Sequence, residues 1–183
     1  MPLPTEKPIW DSKAKEESLH KHNWSKLNHL QLGRYAEHLA TMRLIELGLE
    51  VYSAEVDDRG IDMVVRYAPG RCLEIQVKSM RGHKMTFFTK DKLGGNDEEI
   101  ERRLCGGYCL LSVHFVENDQ DPNIYLIPGS AWLTPNKVLV DNTHGDAQYG
   151  PNFELRASKK HLGLLTPWRL TKELVGQIVA GLA

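Results

Sequence analysis

The chain has 183 residues, the length of one typical domain, and 41% of them are hydrophobic and 26% charged. These values exclude a disordered tail protein and a fibrous repeat. The 23 Lys and Arg residues nearly balance the 24 Asp and Glu residues, for a formal net charge of -1. Overall charge therefore does not indicate a nucleic-acid-binding protein, and any such affinity has to come from local patches.

The N-terminal residues 1–30 are predicted to form an arm that packs on the domain. They hold three of the nine prolines and a mixed-charge stretch, with Trp10 and Trp24 as large apolar anchors. The opening MPLPTEKPIWDSKAKEES lacks the apolar core of a secretory signal. No apolar run in the chain approaches the roughly 18 residues that a membrane-spanning helix needs. We therefore expect a cytoplasmic protein with no membrane association.

Residues 31–49 are predicted to form a helix. Apolar side chains recur there at steps of three and four, and Gly48 fits the helix end. The predicted buried stripe consists of Leu32, Tyr35, Leu39, Met42, Ile45 and Leu49.

Three short strands are predicted next, EVYSAEV, GIDMVVRY and CLEIQVKSM, separated by Asp-Asp-Arg-Gly and Ala-Pro-Gly turns. A helix is predicted near residues 98–104, followed by the strands YCLLSVHFV and NIYLIPG. The order helix, three strands, helix, strand, strand predicts an α/β fold with a central mixed sheet flanked by helices.

The core is thus predicted to span residues 31–133, with a C-terminal extension over 134–183 packed on the same domain. Residues 142–152 are rich in Gly, Asn and Asp and are predicted to form a long loop. A closing helix is predicted over 171–183, where apolar residues form one stripe.

Two of the predicted strands carry polar side chains on one face. In LEIQVK the alternation is strict, so Leu73, Ile75 and Val77 share one face and the intervening polar residues share the other. We expect the apolar face to lie buried beneath a helix and the polar face to be open at one end. Asp62 begins the preceding apolar strand, where an aspartate is unfavourable unless it meets a cation, a metal or solvent.

The hairpin loop around residues 68–70 decides whether these polar side chains coincide. A three-residue loop places Asp62 opposite Gln76, and a five-residue loop places it opposite Lys78. A two-residue loop would separate Asp62 from Lys78. Proline is poorly suited to the mirror-image two-residue turns, so the odd loop lengths are favoured.

A carboxylate, further side-chain oxygens and a lysine at the mouth of a strand pair suit metal-assisted hydrolysis of a phosphodiester. Carboxylate and carbonyl oxygens hold Mg²⁺, and the metal polarises the phosphate and lowers the pKa of a bound water. The lysine stabilises the developing charge. No Gly-x-Ser-x-Gly, Gly-rich phosphate-loop or His-Glu-x-x-His motif supports a small-molecule hydrolase.

The segments GRYAEHLATMRLIELGLEVY, DDRGID and EIQVKS, in this order, resemble the PD-(D/E)XK nuclease superfamily. The resemblance spans roughly residues 31–116 and is nearest to archaeal Holliday-junction resolvases and Mrr-like restriction endonucleases. It implies a restriction-endonuclease-like core in the order α-β-β-β-α-β. It also implies an endonuclease that uses Mg²⁺, or Mn²⁺ as a substitute, to cleave DNA.

The resemblance assigns four catalytic positions. Glu37 matches the helix carboxylate, although periodicity alone would make it an exposed helix glutamate, and Asp62 matches the metal-binding aspartate. Gln76 and Lys78 match the final acidic-x-Lys element, and Gln76 joins Glu37 and Asp62 as an implied metal ligand. Most members of the superfamily have Asp or Glu where this chain has Gln76, and a neutral amide binds Mg²⁺ more weakly than a carboxylate.

Further candidates flank these positions. Glu74 either restores the missing charge or pairs with Arg66, and the pair is the favoured alternative. Asp58 is predicted to form a turn, with metal binding as the less favoured alternative. Ser79 is either a phosphate contact or a polar strand end. The candidate DNA-binding residues are Arg81 and Lys84.

Two functions of different classes are compatible with this pattern. The leading hypothesis is a Mg²⁺-dependent DNA endonuclease of restriction, repair or mobile-element type. The alternative is a catalytically weak or inactive nuclease-fold module that binds DNA or protein, for which Gln76 and the near-neutral charge are the arguments. Cleavage of both strands of a duplex requires two active sites, which makes a homodimer a candidate assembly.

Overall fold

The computed structural model describes residues 22–56, 59–146 and 150–182. Its strands are β1 (Glu50–Ser53), β2 (Met63–Ala68), β3 (Arg71–Arg81), β4 (Met85–Thr89), β5 (Tyr108–Phe115), β6 (Asn123–Pro128), β7 (Leu139–Asp146) and β8 (Gly150–Arg156). Its helices are α1 (His29–Glu46), α2 (Asp97–Cys105) and α3 (Lys172–Ala180), and short 3₁₀ segments lie at Trp24–Lys26, Lys90–Lys92, Gly129–Leu133 and Lys159–Trp168.

A five-stranded mixed sheet in the order β1-β2-β3-β5-β6 forms the centre of the molecule. Only the β3–β5 pair is parallel within this sheet, and the other neighbours are antiparallel. The predicted α/β fold with a mixed sheet and the order α-β-β-β-α-β is confirmed, with β4 inserted before α2. Among the described residues no helix is long and apolar enough to span a bilayer.

Helix α1 begins with a capping box. Asn28 Oδ1 accepts a hydrogen bond from the Gln31 backbone N–H, and Gln31 Oε1 accepts one from the Asn28 N–H. The helix ends before Gly48, whose φ of +87° suits glycine. These local signals explain why the helix was predictable to within a few residues.

The buried face of α1 differs from the predicted stripe. Met42 and Ile45 are about half exposed, at 52% and 54%. Leu32 and Leu39 of the predicted stripe are buried as expected, and Ala36, Ala40 and Leu44 complete the buried face. The two alanines of this face are fully buried, because small side chains let the helix backbone approach the sheet closely.

Both faces of β3 are covered. The predicted burial of Leu73, Ile75 and Val77 is confirmed, and these side chains join a core formed with α1 and α3. The opposite face packs on a second core that contains residues of α2, β4, β7 and β8. The expectation that this face is open is wrong at Gln76, whose residue is 2% exposed.

The second core rests on a three-stranded sheet in the order β4-β8-β7, which the sequence did not predict. Residues 142–152, predicted as a loop, include the facing ends of β7 and β8, which pair as antiparallel strands. The segment is poor in strand-favouring residues. The pairing of β7 with β8, and of β8 with β4, rather than local propensity, therefore accounts for its strands.

The β2–β3 hairpin turns at Pro69 and Gly70, where Gly70 has a φ of +70°. This combination fits a type II turn, which accepts proline at its first central position. A register shift at residues 66–68 adds one residue to the β2 side. The register of residues 63–66 is therefore that of a three-residue loop, and the pairing begins at Met63 and Ile75, one residue after Asp62.

Candidate active site

Glu37 and Asp62 line one cavity of about 410 Å³. Helix α1 supplies Glu37, and the segment just before β2 supplies Asp62. The end of β1 forms a further wall with Ser53, Ala54 and Glu55. Two predicted acidic residues that are 25 positions apart in the sequence thus meet at one opening of the molecule.

The main chain holds Asp62 on both sides. Its N–H donates to the Ile75 carbonyl at 2.9 Å, and its own carbonyl accepts from the Ala54 N–H at 2.9 Å. Its carboxylate Oδ2 accepts from the Val77 N–H at 2.6 Å. The β2–β3 pairing begins only at Met63, so the carboxylate serves β3 as an acceptor beyond the end of β2. This explains why an aspartate stands at the start of an apolar strand.

The Glu37 carboxylate is one-third exposed and forms an ion pair with Arg34, at 2.7 Å between Nη1 and Oε2. Arg34, His38 and Thr41 line the same cavity from α1. Sequence analysis missed these three residues, together with Glu55. Their spacing was the available signal, because positions 34, 37, 38 and 41 share one helix face.

Gln76 does not line this cavity. Its Oε1 accepts a hydrogen bond from the Tyr108 hydroxyl at 2.8 Å, on the face of the sheet that packs on the second core. A Cβ on Gly60 would lie 3.2 Å from Gln76 Nε2 and 3.3 Å from Lys92 Cδ. The amide is therefore packed between β5 and the loop that leads to Asp62, and the structure does not bring all four predicted residues into one pocket.

Lys78 and Ser79 follow Gln76 along β3. Both residues are half-buried, and they pair in register with Ser112 and Val113 of β5. Neither belongs to the described residues that line the cavity of Glu37 and Asp62.

The favoured pairing of Glu74 with Arg66 is wrong. Arg66 lies across from Cys72 in the observed register and pairs with Glu50 of β1. Glu74 instead forms an ion pair with Arg103 of α2, at 2.9 Å between Oε2 and Nε. The observed register is that of a three-residue loop rather than a five-residue loop, and it places Arg66 across from Cys72 instead of Glu74.

Arg103 also binds the loop before Asp62. Its guanidinium donates to the carbonyl oxygens of Lys92 and Arg59 and lies 5.4 Å from the centre of the Tyr108 ring. With Glu74, it lines a second cavity of about 560 Å³. The basic side chains of this second cavity are Arg59, Lys92, Arg102 and Arg103. No sequence motif identified this arginine, because its contacts depend on how α2 docks.

The remaining candidates have different environments. The Arg81 guanidinium donates to the carbonyls of Trp24 and Leu27, at 2.7 and 2.6 Å, and so ties the N-terminal 3₁₀ segment to β3. Lys84 is exposed. Asp58 and Trp10 lie outside the described residues.

Oxygen ligands suited to a hard divalent cation are present in the first cavity. Among the described residues, no group of three or more His, Cys, Asp and Glu side chains is arranged to hold a metal ion. Mg²⁺ commonly uses only one or two protein carboxylates and keeps several waters. Glu37 and Asp62 meet this smaller requirement.

Comparison with known proteins gives structural matches only. No family model and no curated protein sequence matches the chain. A Holliday junction resolvase, Hjc from Archaeoglobus fulgidus, superposes with a TM-score of 0.49 at 15% identity, over 79% of this chain and 95% of its own. The bacterial homing endonuclease I-Ssp6803I superposes with a TM-score of 0.46 at 19% identity, over 84% of this chain and 94% of its own. At these identities the likeness concerns the chain trace alone.

Proposed function

We propose that the protein is a Mg²⁺-dependent endonuclease that hydrolyses phosphodiester bonds of DNA. The observation that carries this proposal is that Glu37 and Asp62 line one cavity, beside the start of β2. The ordered motifs that contain Glu37, Asp62, Gln76 and Lys78 support it independently.

In this proposal Glu37 and Asp62 hold the cation, with Mn²⁺ as a substitute. Two carboxylates and a cavity of about 410 Å³ suit a cation that retains part of its water shell. The bound metal would polarise the phosphate and lower the pKa of a water ligand. Asp62 is the better fixed ligand, because three hydrogen bonds, one from Ala54 just after β1 and two with β3, hold its main chain and carboxylate.

In this proposal Lys78, which is half-buried and does not line the cavity of Glu37 and Asp62, supplies positive charge to the phosphate in its transition state, where charge accumulates on oxygen. Gln76 acts as a positioning residue: its amide packs against Gly60 and so supports the loop that ends at Asp62. Of the flanking candidates, Lys84 stays a DNA contact in the proposal. A homodimer would provide the second active site for cleavage of both strands.

The burial of Gln76 favours one alternative function. Gln76 Oε1 is bonded to Tyr108 and does not line the cavity. Of the three predicted metal ligands, only Glu37 and Asp62 line it. A nuclease-fold module that binds DNA or protein with little or no turnover would have this arrangement.

Plasmid nicking in Mg²⁺ or Mn²⁺ tests the proposal and separates it from the alternative. We expect the native chain to nick DNA, and both Asp62→Asn and Lys78→Ala to abolish nicking. Glu46→Gln, on the exposed side of α1, is the matched control and should retain activity. A native chain that binds DNA but does not nick it would support the inactive module.

Calorimetry with Mn²⁺ assigns the separate roles. Asp62→Asn should lose Mn²⁺ binding, because it removes a charge beside the cation, whereas Lys78→Ala should bind Mn²⁺ nearly as the native chain does. Equal Mn²⁺ affinity in the native chain and both variants would remove Asp62 from the metal site.

A further inference from the structure

Arg34 directly contacts Glu37, one of the two proposed metal ligands. Its Nη1 lies 2.7 Å from Glu37 Oε2, and both residues line the cavity that contains Asp62. The Arg34 side chain is 72% exposed, whereas that of Glu37 is 32% exposed. The guanidinium therefore has room to move while the carboxylate stays at the cavity wall.

A divalent cation and the Arg34 guanidinium compete for the Glu37 carboxylate. Exposed ion pairs three residues apart on a helix are weak, because water screens them and two long side chains lose freedom. A cation held by Glu37 and Asp62 also repels the adjacent guanidinium. Cation binding should thus release Arg34 from Glu37 at little cost.

A released guanidinium at this position has a natural second partner. Its planar fork of donors matches two oxygens of a phosphate, which the cation brings into the same cavity. His38 and Thr41, one and two turns along the same helix face, keep this wall polar.

We propose that Arg34 exchanges partners on metal binding, from Glu37 in the metal-free protein to a backbone phosphate of the DNA in the loaded protein. This inference rests on the proposed function, since it assumes that Glu37 and Asp62 hold a cation. It assigns Arg34 two opposite effects: it weakens metal binding and strengthens metal-dependent DNA binding.

The same helix provides a matched control. Arg43 and Glu46 form an ion pair with the same three-residue spacing, at 2.8 Å, and neither residue lines the cavity. Arg43→Gln therefore removes an equivalent exposed pair and the same formal charge, away from the site.

Calorimetry with Mn²⁺ alone gives the first measurement, with no DNA and no turnover. We expect Arg34→Gln to bind Mn²⁺ about threefold to tenfold more tightly than the native chain, because both the competing pair and a nearby positive charge are lost. Arg43→Gln should match the native chain. Unchanged or weaker Mn²⁺ binding by Arg34→Gln would overturn the proposal.

Binding of a fluorescent DNA duplex gives the second measurement, in a Lys78→Ala background that keeps the DNA intact. With Mn²⁺, Arg34→Gln should weaken binding about tenfold, the loss expected for a charge-assisted phosphate contact. The DNA affinity of Arg34→Lys should fall between that of the protein with Arg34 and that of Arg34→Gln. In EDTA, the protein with Arg34 and Arg34→Gln should bind DNA with nearly equal affinity. Equal losses with and without Mn²⁺ would show a static contact and contradict the exchange.

These measurements separate the two proposals. If the native chain shows no Asp62-dependent Mn²⁺ binding, the proposed function fails, and the exchange fails with it. If Mn²⁺ binds and DNA is cleaved while Arg34→Gln behaves as Arg43→Gln does, only the exchange is wrong.

Discussion

Gly60 is the point at which the buried Gln76 amide meets the loop that carries Asp62. Its φ is +65°, and a Cβ there would crowd Gln76 Nε2 at 3.2 Å. Gly70 provides a contrast, since its φ is +70° but an added Cβ would meet no atom within 4 Å. The two glycines therefore share a left-handed backbone conformation and differ in packing.

We expect Gly60→Ala and Gly70→Ala each to lose about 1 kcal/mol of unfolding free energy from the left-handed backbone alone. Only Gly60→Ala should also weaken Mn²⁺ binding, because the loop has to shift away from Gln76. Urea unfolding and calorimetry on both variants check this. Equal Mn²⁺ affinity in the two variants would show that Gln76 does not position Asp62.

His114 makes stability depend on pH. Burial first, and the nearby charge of His83 second, lower the pKa of His114 from 6.5 to about 4. Its Nε2 lies 2.9 Å from Ser112 Oγ. The unfolded chain takes up a proton below pH 6.5, whereas the folded chain stays neutral there, so stability is complete above pH 6.5 and is lost as the pH falls toward 4.

We expect the unfolding free energy to fall by about 2 kcal/mol between pH 7 and pH 5 through this residue. Urea titrations at several pH values measure the slope, and His114→Gln should flatten it. If that variant does not fold, an NMR titration of the His114 ring gives the pKa directly. A ring that titrates near pH 6.5 would refute the prediction.

For individual site residues, the sequence was informative only where a residue type is unfavourable in its local context. Asp62 stood out because a carboxylate begins an apolar strand, and the structure gives it acceptor contacts beyond the end of that strand. The burial of Gln76 and the pairing of Glu74 with Arg103 were not predictable. The first depends on Tyr108 of β5 and the second on Arg103 of α2, and neither partner leaves a local pattern in β3.

Strand β3 has to stay apolar on the face beneath α1. Ile75 is fully buried in the core formed with that helix, and a charge placed there would have no partner. We expect Ile75→Asp to prevent cooperative folding, and Ile75→Val to cost about 1 kcal/mol. Thermal melting followed by circular dichroism distinguishes these outcomes. A soluble Ile75→Asp protein that melts cooperatively would contradict the face assignment.

Most elements with strong local signals were predicted, although β4, with the strand-favouring sequence MTFFT, was missed. Helix α1 has a capping box and an apolar period, and β2, β3 and β5 are rich in branched and aromatic residues. Strand β7 contains Asp141, Asn142 and Asp146, which disfavour strands, and only its pairing with β8 accounts for it. The periodicity of α1 also misled, because it weights large side chains over the buried alanines.

For the molecule as a whole, the proposed DNA affinity would have to come from local charge because the net charge is -1. The second cavity places four basic and three acidic residues beside the loop that leads to Asp62, and the basic residues Arg59 and Arg102 are exposed there. This arrangement suits phosphates that flank the proposed cleavage site.

We expect Arg59→Ala and Arg102→Ala each to weaken duplex binding several-fold and to lower the slope of log affinity against log salt by about 1. Lys159→Ala and Lys160→Ala, at exposed positions on the last 3₁₀ segment, are controls that should change little. Fluorescence anisotropy between about 50 and 200 mM salt measures both quantities. Equal effects at all four positions would indicate only diffuse attraction.

Within the described part of the chain, neither edge of the five-stranded sheet, β1 or β6, presents a long open strand. Strand β1 spans only four residues and bears the Glu50–Arg66 ion pair. On the other side, the Leu170 N–H donates to the Ile124 carbonyl, and Arg169 bridges to Tyr125 of β6. Short, charged or covered edges hinder strand addition by another molecule. The edges of this sheet therefore disfavour strand addition, and two copies would not associate by extending the five-stranded sheet.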